Sequence, residues 1–197
     1  MTIFNVYDII KRCIMSEVRP CVLYRGGYNG LMIIMGIDPG LAIVGYGIVE
    51  YKAPRFRTLA YGAVTTPAHT EIPDRLEIIF SEISDLIELY HPDDIAIEEL
   101  FFNTNITTGI SVAEARGVIL LAAKRKKVGI YEYTPLQVKQ AVVGYGRAEK
   151  KQVQLMTKTI LNLQKMPKLD DTSDALAIAV CHAHTGCSRL RDFYNIK

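Results

Sequence analysis

Met32-Ile-Ile-Met-Gly-Ile-Asp-Pro-Gly40 is the stretch from which the fold of this chain can be read. An apolar run of this length that stops at Asp-Pro-Gly predicts a buried strand closing into a tight turn. Ile43–Tyr51 follows as an alternating strand, in which Gly45 and Gly47 permit another backbone to come close. Arg57–Thr66 supplies a third strand, and Gly40 and Pro54 punctuate an antiparallel meander. Pro73 then opens a helix in which Leu76, Ile79, Phe80, Ile83, Leu86, Ile87 and Tyr90 recur at three and four, and His91-Pro92 ends it. Asp94–Glu98 is a short apolar strand, Thr107–Lys126 a helix rich in Ala, Val and Leu, and Val128–Tyr133 a fifth strand. Thr134-Pro135 pairs an N-cap with Pro at the first helical position and starts a short helix to about Val142. After the loop Gly144-Tyr-Gly146, helices are expected over Ala148–Leu163 and Asp170–His184. The order β-β-β-α-β-α-β-α-α-α predicts an α/β fold, a mixed five-stranded sheet flanked by helices.

Upstream of Met32 the pattern changes. Residues 1–31 carry Arg-Pro, Arg-Gly-Gly and Tyr-Asn-Gly and little periodicity beyond a possible short helix over Ile3–Met15. They are expected to be a flexible N-terminal extension, with the folded domain over 32–188 and a tail over 189–197. A length of 197 residues suits one domain, and 49% hydrophobic against 22% charged residues is a globular rather than a disordered composition. No apolar run approaches the ~18 residues a membrane helix requires, and no signal peptide is evident, so a cytoplasmic location is expected. The four cysteines, Cys13, Cys21, Cys181 and Cys187, form no CxxC pair. Cys181, His182, His184 and Cys187 continue an apolar helical pattern, which favours free thiols over a zinc site.

Charge is distributed unevenly. Arg116–Lys168 holds twelve Lys or Arg against Glu132 and Glu149, a local +10, so the rest of the chain carries −8 of the net +2. Glu71–Glu99 holds ten acids and one base, Arg75. A basic face beside an acidic one suits an anionic polymer, although a solvated helical surface produces the same pattern.

Four acids fall where phosphodiester chemistry would use them. Asp38 ends the first strand, Glu98 ends the fourth, and Asp171 and Asp174 are three apart at the start of the last helix, hence on one face. If the first and fourth strands are neighbours, all four converge at one sheet edge. Like charges so close resist ionisation unless divalent cations offset them, and Mg²⁺ or Mn²⁺ prefers oxygen ligands. Singly, Asp38 could be a turn residue, and Asp171 or Asp174 a first-turn acid favoured by the helix dipole. Glu99 competes with Glu98, because alternation lets only one of them share a face with the other acids.

Taken in order, these segments resemble the RuvC resolvases, members of the ribonuclease H-like superfamily. The resemblance rests on Gly36-Ile-Asp-Pro-Gly40 with Gly45-Tyr-Gly47, Ala96-Ile-Glu-Glu-Leu-Phe101, Ala115-Arg-Gly-Val118, Gln137-Val-Lys-Gln140, Val143-Gly144, Ala148-Glu-Lys150 and Asp171-Thr-Ser-Asp-Ala-Leu-Ala177. It implies a crossover junction endodeoxyribonuclease that resolves Holliday junctions by paired symmetric nicks, with Asp38, Glu98, Asp171 and Asp174 as metal ligands and catalytic residues. Two Mg²⁺ per subunit are implied, with Mn²⁺ as a substitute. Phe101, with Phe102 beside it, matches an aromatic that stacks on junction bases. Lys139 and Lys150 match lysines that meet DNA near the scissile phosphate; Lys151, Arg147 and Arg116 are weaker phosphate-clamp candidates. The implied partners are four-way junction DNA, a second copy of the chain in a homodimer, and the RuvA and RuvB branch-migration proteins, with no membrane. The alanine-rich helix around Ser111–Ala123 is the candidate dimer face. Three other readings remain. A ribonuclease H-like nuclease with another substrate would keep the same metals. An actin-like or sugar-kinase ATPase shares the Gly-Ile-Asp start but needs a second phosphate-binding lobe for which this chain is too short. A catalytically dead DNA-binding protein would not need four intact acids.

Overall fold

β1 (Leu31–Asp38) lies at the centre of the sheet and sets its plan. The computed structural model describes residues 30–100 and 106–186. On one side β1 pairs antiparallel with β2 (Ile43–Lys52), which pairs antiparallel with β3 (Arg55–Thr65). On its other side β1 runs parallel to β4 (Asp94–Glu98), and β4 runs parallel to β5 (Gly129–Tyr133). The order β3-β2-β1-β4-β5 is the mixed five-stranded sheet expected from the pattern of the chain. Parallel pairing requires a crossover, and α1 (Ile72–Tyr90) and α2 (Ile106–Arg125) supply the two that lead into β4 and β5. Strands β1, β4 and β5 therefore end at the same edge, called here the carboxyl edge.

Alternation along the strands divides the core into two layers. Met35, Ile37, Ile95 and Ile97 face α1 and α2, where they meet Ile79, Ile83, Ala115 and Ile119. Ile34, Ala96, Tyr131 and Tyr133 face the opposite way, against three further helices: α3 (Pro135–Val143), α4 (Lys150–Ile160) and α5 (Asp170–Gly186). Asp38 and Glu98 have the parity of Ile34 and Ala96, so both look toward α5. Glu99 has the other parity and is exposed, and its backbone N–H donates to Tyr133 O at 2.9 Å. Strand parity thus settles the choice between the two glutamates.

α5 is apolar along most of its length, and Ala175 through Cys181 are buried. It sits directly on the sheet backbone because three glycines leave room for it. A Cβ added at Gly36 would lie 2.0 Å from Ala175 O, one at Gly45 2.0 Å from Asp171 O, and one at Gly47 2.6 Å from Leu176 Cδ2. Gly36 pairs with Gly47 and Asp38 with Gly45 across the β1–β2 ladder, so the glycine patch adjoins Asp38 on the same face. At the far end of the helix His182, fully buried, hydrogen-bonds Tyr133 Oη at 2.7 Å and Asp94 Oδ2 at 3.1 Å. His184 Nδ1 is 3.0 Å from Ala141 O, and Cys181 is a buried free thiol, so the Cys-His-x-His run serves packing. Among the described residues no helix is long and apolar enough to cross a membrane.

Gly45→Ala is expected to destabilise the protein by about 1–3 kcal/mol, because the atoms its methyl would overlap are helix backbone and cannot rotate aside. A urea unfolding midpoint equal to that of the wild type would show that α5 is not held at this distance.

Candidate functional site

The carboxyl edge brings Asp38, Glu98, Asp171 and Asp174 into one electrostatic cluster. Ladder hydrogen bonds fix Asp38 and Glu98 side by side, since Ile37 pairs with Ile97 one residue earlier on each strand. Asp171 and Asp174 lie in the first two turns of α5, over the glycine patch and half-buried like the other two. Burial pushes the Asp38 carboxyl up to about 8, with the fields of Glu98, Asp174 and Asp171 adding to it. Glu98 is also raised, first by burial and then by Asp174, while its hydrogen bond with Asp38 and the charge of Lys150 pull the other way. Asp38 and Glu98 therefore share a proton between them. Burial raises Asp174 too, against the Lys150 hydrogen bond that lowers it.

Among the described residues Lys150 is the cation that pairs with these acids. Its position follows from a local cap: Glu149 N–H donates to Gln152 Oε1 at 2.8 Å, which starts α4 at Lys150. Its Nζ lies 2.9 Å from Asp174 Oδ2 and 3.2 Å from Asp170 Oδ2. Burial works against its charge, but the two carboxylates outweigh that and raise its pKa. Asp170, outside the set read from the sequence, is fully exposed and lowered by Lys150 and by Gln154, whose Nε2 donates to it at 3.0 Å. Its signal in the sequence was weak, because a first-turn acid is an ordinary helix feature.

The donor set is oxygen only, and with one proton shared between Asp38 and Glu98 a single ammonium still cannot offset the three charges that remain. Among the described residues no three acidic, histidine or cysteine side chains already stand as a finished ligand set. A cluster that keeps a proton up to about pH 8 is under strong pressure to take a cation instead, which fits a hard divalent ion.

The other candidates are spread around this edge. Thr134 caps α3: its Oγ1 accepts from Gln137 N at 3.2 Å and its N–H donates to Gln137 Oε1 at 2.7 Å. Lys139, one turn further along, is half-buried with no ion pair among the described residues. Lys151 and Arg147 are exposed. Arg116 is half-buried and ion-paired with Glu132 on β5, which engages the charge that a phosphate clamp would need. Phe101 and Phe102 lie outside the described residues.

Known proteins resemble this chain over most of its length. The family model described as crossover junction endodeoxyribonuclease RuvC matches residues 34–182. The crossover junction endodeoxyribonuclease RuvC of Alkaliphilus oremlandii is 61% identical over 155 residues, covering 79% of this chain and 94% of that protein. That of Clostridioides difficile is 58% identical over 154 residues, covering 78% and 91%. Among solved structures, T. thermophilus RuvC in complex with Holliday junction substrate superposes with a TM-score of 0.75 at 36% identity, covering 78% of this chain and 93% of that one.

With divalent cations chelated, stability should fall as pH rises from about 4 to about 8. Over that window the unfolded chain loses the Asp38 proton near 3.8 while the folded chain keeps it. The folded state then binds more protons, and the slope approaches about −1.4 kcal/mol per pH unit. Asp38→Asn should flatten it, as read by urea unfolding across that range; parallel profiles for the two proteins would contradict the buried-acid assignment.

Proposed function

The chain belongs to the crossover junction endodeoxyribonuclease RuvC family, and from that membership we propose that it resolves four-way DNA junctions by hydrolysing opposed phosphodiester bonds at the four-carboxylate edge. The observation that carries this reading is the convergence of Asp38, Glu98, Asp171 and Asp174 in a negative field that Lys150 offsets only in part. In this reading all four are metal ligands. Two Mg²⁺ ions held there, with Mn²⁺ as a substitute, would neutralise the acids, activate the attacking water and stabilise the leaving oxygen.

The chain's own part is positioning and binding. Asp38 and Glu98 are fixed by the parallel ladder and form the rigid half of the site, while α5 supplies the other half as a unit. Lys150, with its side chain 52% exposed, is placed to exchange Asp174 for a substrate phosphate. Lys139 and Lys151 extend the basic face along α3 and α4. Phosphate contacts of this kind carry affinity and strong salt dependence rather than sequence preference. Phe101 and Phe102, directly after Glu98-Glu-Leu, are assigned to stacking on unpaired bases at the junction centre, worth about 1–3 kcal/mol per base.

A four-way junction has approximate two-fold symmetry, so matched nicks call for two sites related by the same operator, hence a homodimer. The exposed stripe Ile110, Gly117 and Leu121 on α2 supports that helix as the contact. A side chain at Gly117 would meet nothing within 4 Å. The nicks would leave 5′-phosphate and 3′-hydroxyl ends that a ligase can seal. RuvA and RuvB are the proposed partners that bring the junction, and the reading places the protein in the cytoplasm.

The test is cleavage of an end-labelled synthetic four-way junction in Mg²⁺, beside linear duplex and RNA–DNA hybrid. Paired symmetric nicks on the junction alone are expected. Glu98→Gln should abolish them while junction binding persists, and Lys150→Met should lower cleavage by at least about tenfold, the usual scale for removing a charged contact. Cutting of the hybrid in preference to the junction would sink the substrate assignment and leave the metal site standing.

A further inference from the structure

The four acids sit on three elements, and two of these are tied to a fourth that carries none of them. The end of β3 reaches both. Thr172, between Asp171 and Asp174 in the chain and buried, donates from Oγ1 to Gly62 O at 3.0 Å. Four residues further along, Thr66 donates from Oγ1 to Leu41 O at 2.7 Å, and its backbone N–H donates to Ala42 O at 3.1 Å. Leu41 and Ala42 belong to the turn that leaves Asp38. Arg75, in the first turns of α1, donates from Nε to Thr66 Oγ1 at 2.8 Å. A hydroxyl has one proton, so accepting from Arg75 commits that proton to Leu41 O.

Both threonines satisfy a half-buried backbone carbonyl. Their placement argues for more. The N-terminal part of α5 otherwise meets the sheet through Gly36, Gly45 and the Leu176 side chain against Gly47, contacts without direction along the helix axis. Lys150 and Gln154 also reach that end from α4, Lys150 from an exposed position and Gln154 from a half-buried one. The bond from the buried Thr172 is part-buried and directional, and it ends on the same strand end that holds the Asp38 turn.

We propose that Thr66 and Thr172, with Arg75 acting through Thr66, are positioning residues that make the end of β3 a strut setting the separation between Asp38 and the Asp171–Asp174 pair. The inference rests on the reading of these acids as metal ligands. A strut in this place acts on metal affinity, because carboxylates displaced by a fraction of an ångström close less well around a small octahedral ion.

Thr66→Val and Thr172→Val keep the shape and remove the hydroxyl, whereas Thr66→Ser and Thr172→Ser keep it. Two readouts are needed: the rise in thermal midpoint as Mg²⁺ is titrated into the DNA-free protein, and the Mg²⁺ concentration for half-maximal junction cleavage. Each Val variant should need about tenfold more Mg²⁺ in both, at the lower end of what loss of an outer-shell contact does to metal sites. Junction affinity in chelator should be unchanged, and each Ser variant should follow the wild type. Val variants with a lowered metal-free midpoint but an unchanged Mg²⁺ requirement would overturn the inference, because the hydroxyls would then be structural only. Ser and Val variants behaving alike would overturn it as well. A wild-type midpoint that Mg²⁺ does not move would overturn the metal-site reading, and the strut with it.

Discussion

The contact between α5 and the sheet backbone is the constraint on which the rest of this structure depends. A helix axis normally stands about 10 Å from a sheet because side chains fill the gap. Here Gly36, Gly45 and Gly47 remove the side chains beneath α5, and Ala175 and Ala179 keep the helix side of the contact small. Close approach brings Asp171 and Asp174 down to strand ends that already carry Asp38 and Glu98. The burial that raises Asp38, Glu98 and Asp174 follows from the same contact. Packing and electrostatics at this edge are therefore one problem: the fold concentrates negative charge where water is scarce.

The chain relieves that concentration in two ways without removing it. One proton is retained between Asp38 and Glu98, and Lys150 spans Asp170 and Asp174. Neither arrangement is deep-seated. The proton is held by partial burial together with the field of its neighbours, and Lys150 stands at the start of α4 with about half its side chain in solvent. The far end of α5 differs. There His182 is enclosed between Tyr133 and Asp94 with both ring nitrogens engaged. The helix is thus fixed firmly at the end away from the acids and held by exchangeable charges, together with Thr172, at the end that carries them.

Much of the architecture was legible because periodicity reports burial directly. The strand at Met32–Ile37, the helix on Leu76–Tyr90 and the cap at Thr134-Pro135 all follow from side chains acting within one or two turns of themselves. Strand edges were harder to place. β3 begins at Arg55 rather than Arg57, and α4 at Lys150 rather than Ala148, because ladder pairing and a cap at Glu149 decide those ends. Arg116 shows the limit of reading charge from sequence, since its partner Glu132 lies sixteen residues away on another element. The histidines near Cys181 show it again: their partners Tyr133, Asp94 and Ala141 are remote in the chain.

The identity of the four acids, the helix that presents two of them and the glycines that admit it were fixed by the amino-acid sequence, since each depends on residue type and local spacing. Whether Glu98 or Glu99 faces the site waited on the tertiary structure. So did the proton shared by Asp38 and Glu98, the engagement of Lys150, and the bonds of Thr66 and Thr172 to the turn and to β3. Strand parity acquires a meaning only when a sheet has two covered faces, and a carboxyl group is perturbed only when other chain segments exclude water and bring like charges near. Those are properties of elements far apart in the chain brought into contact, which no local pattern encodes.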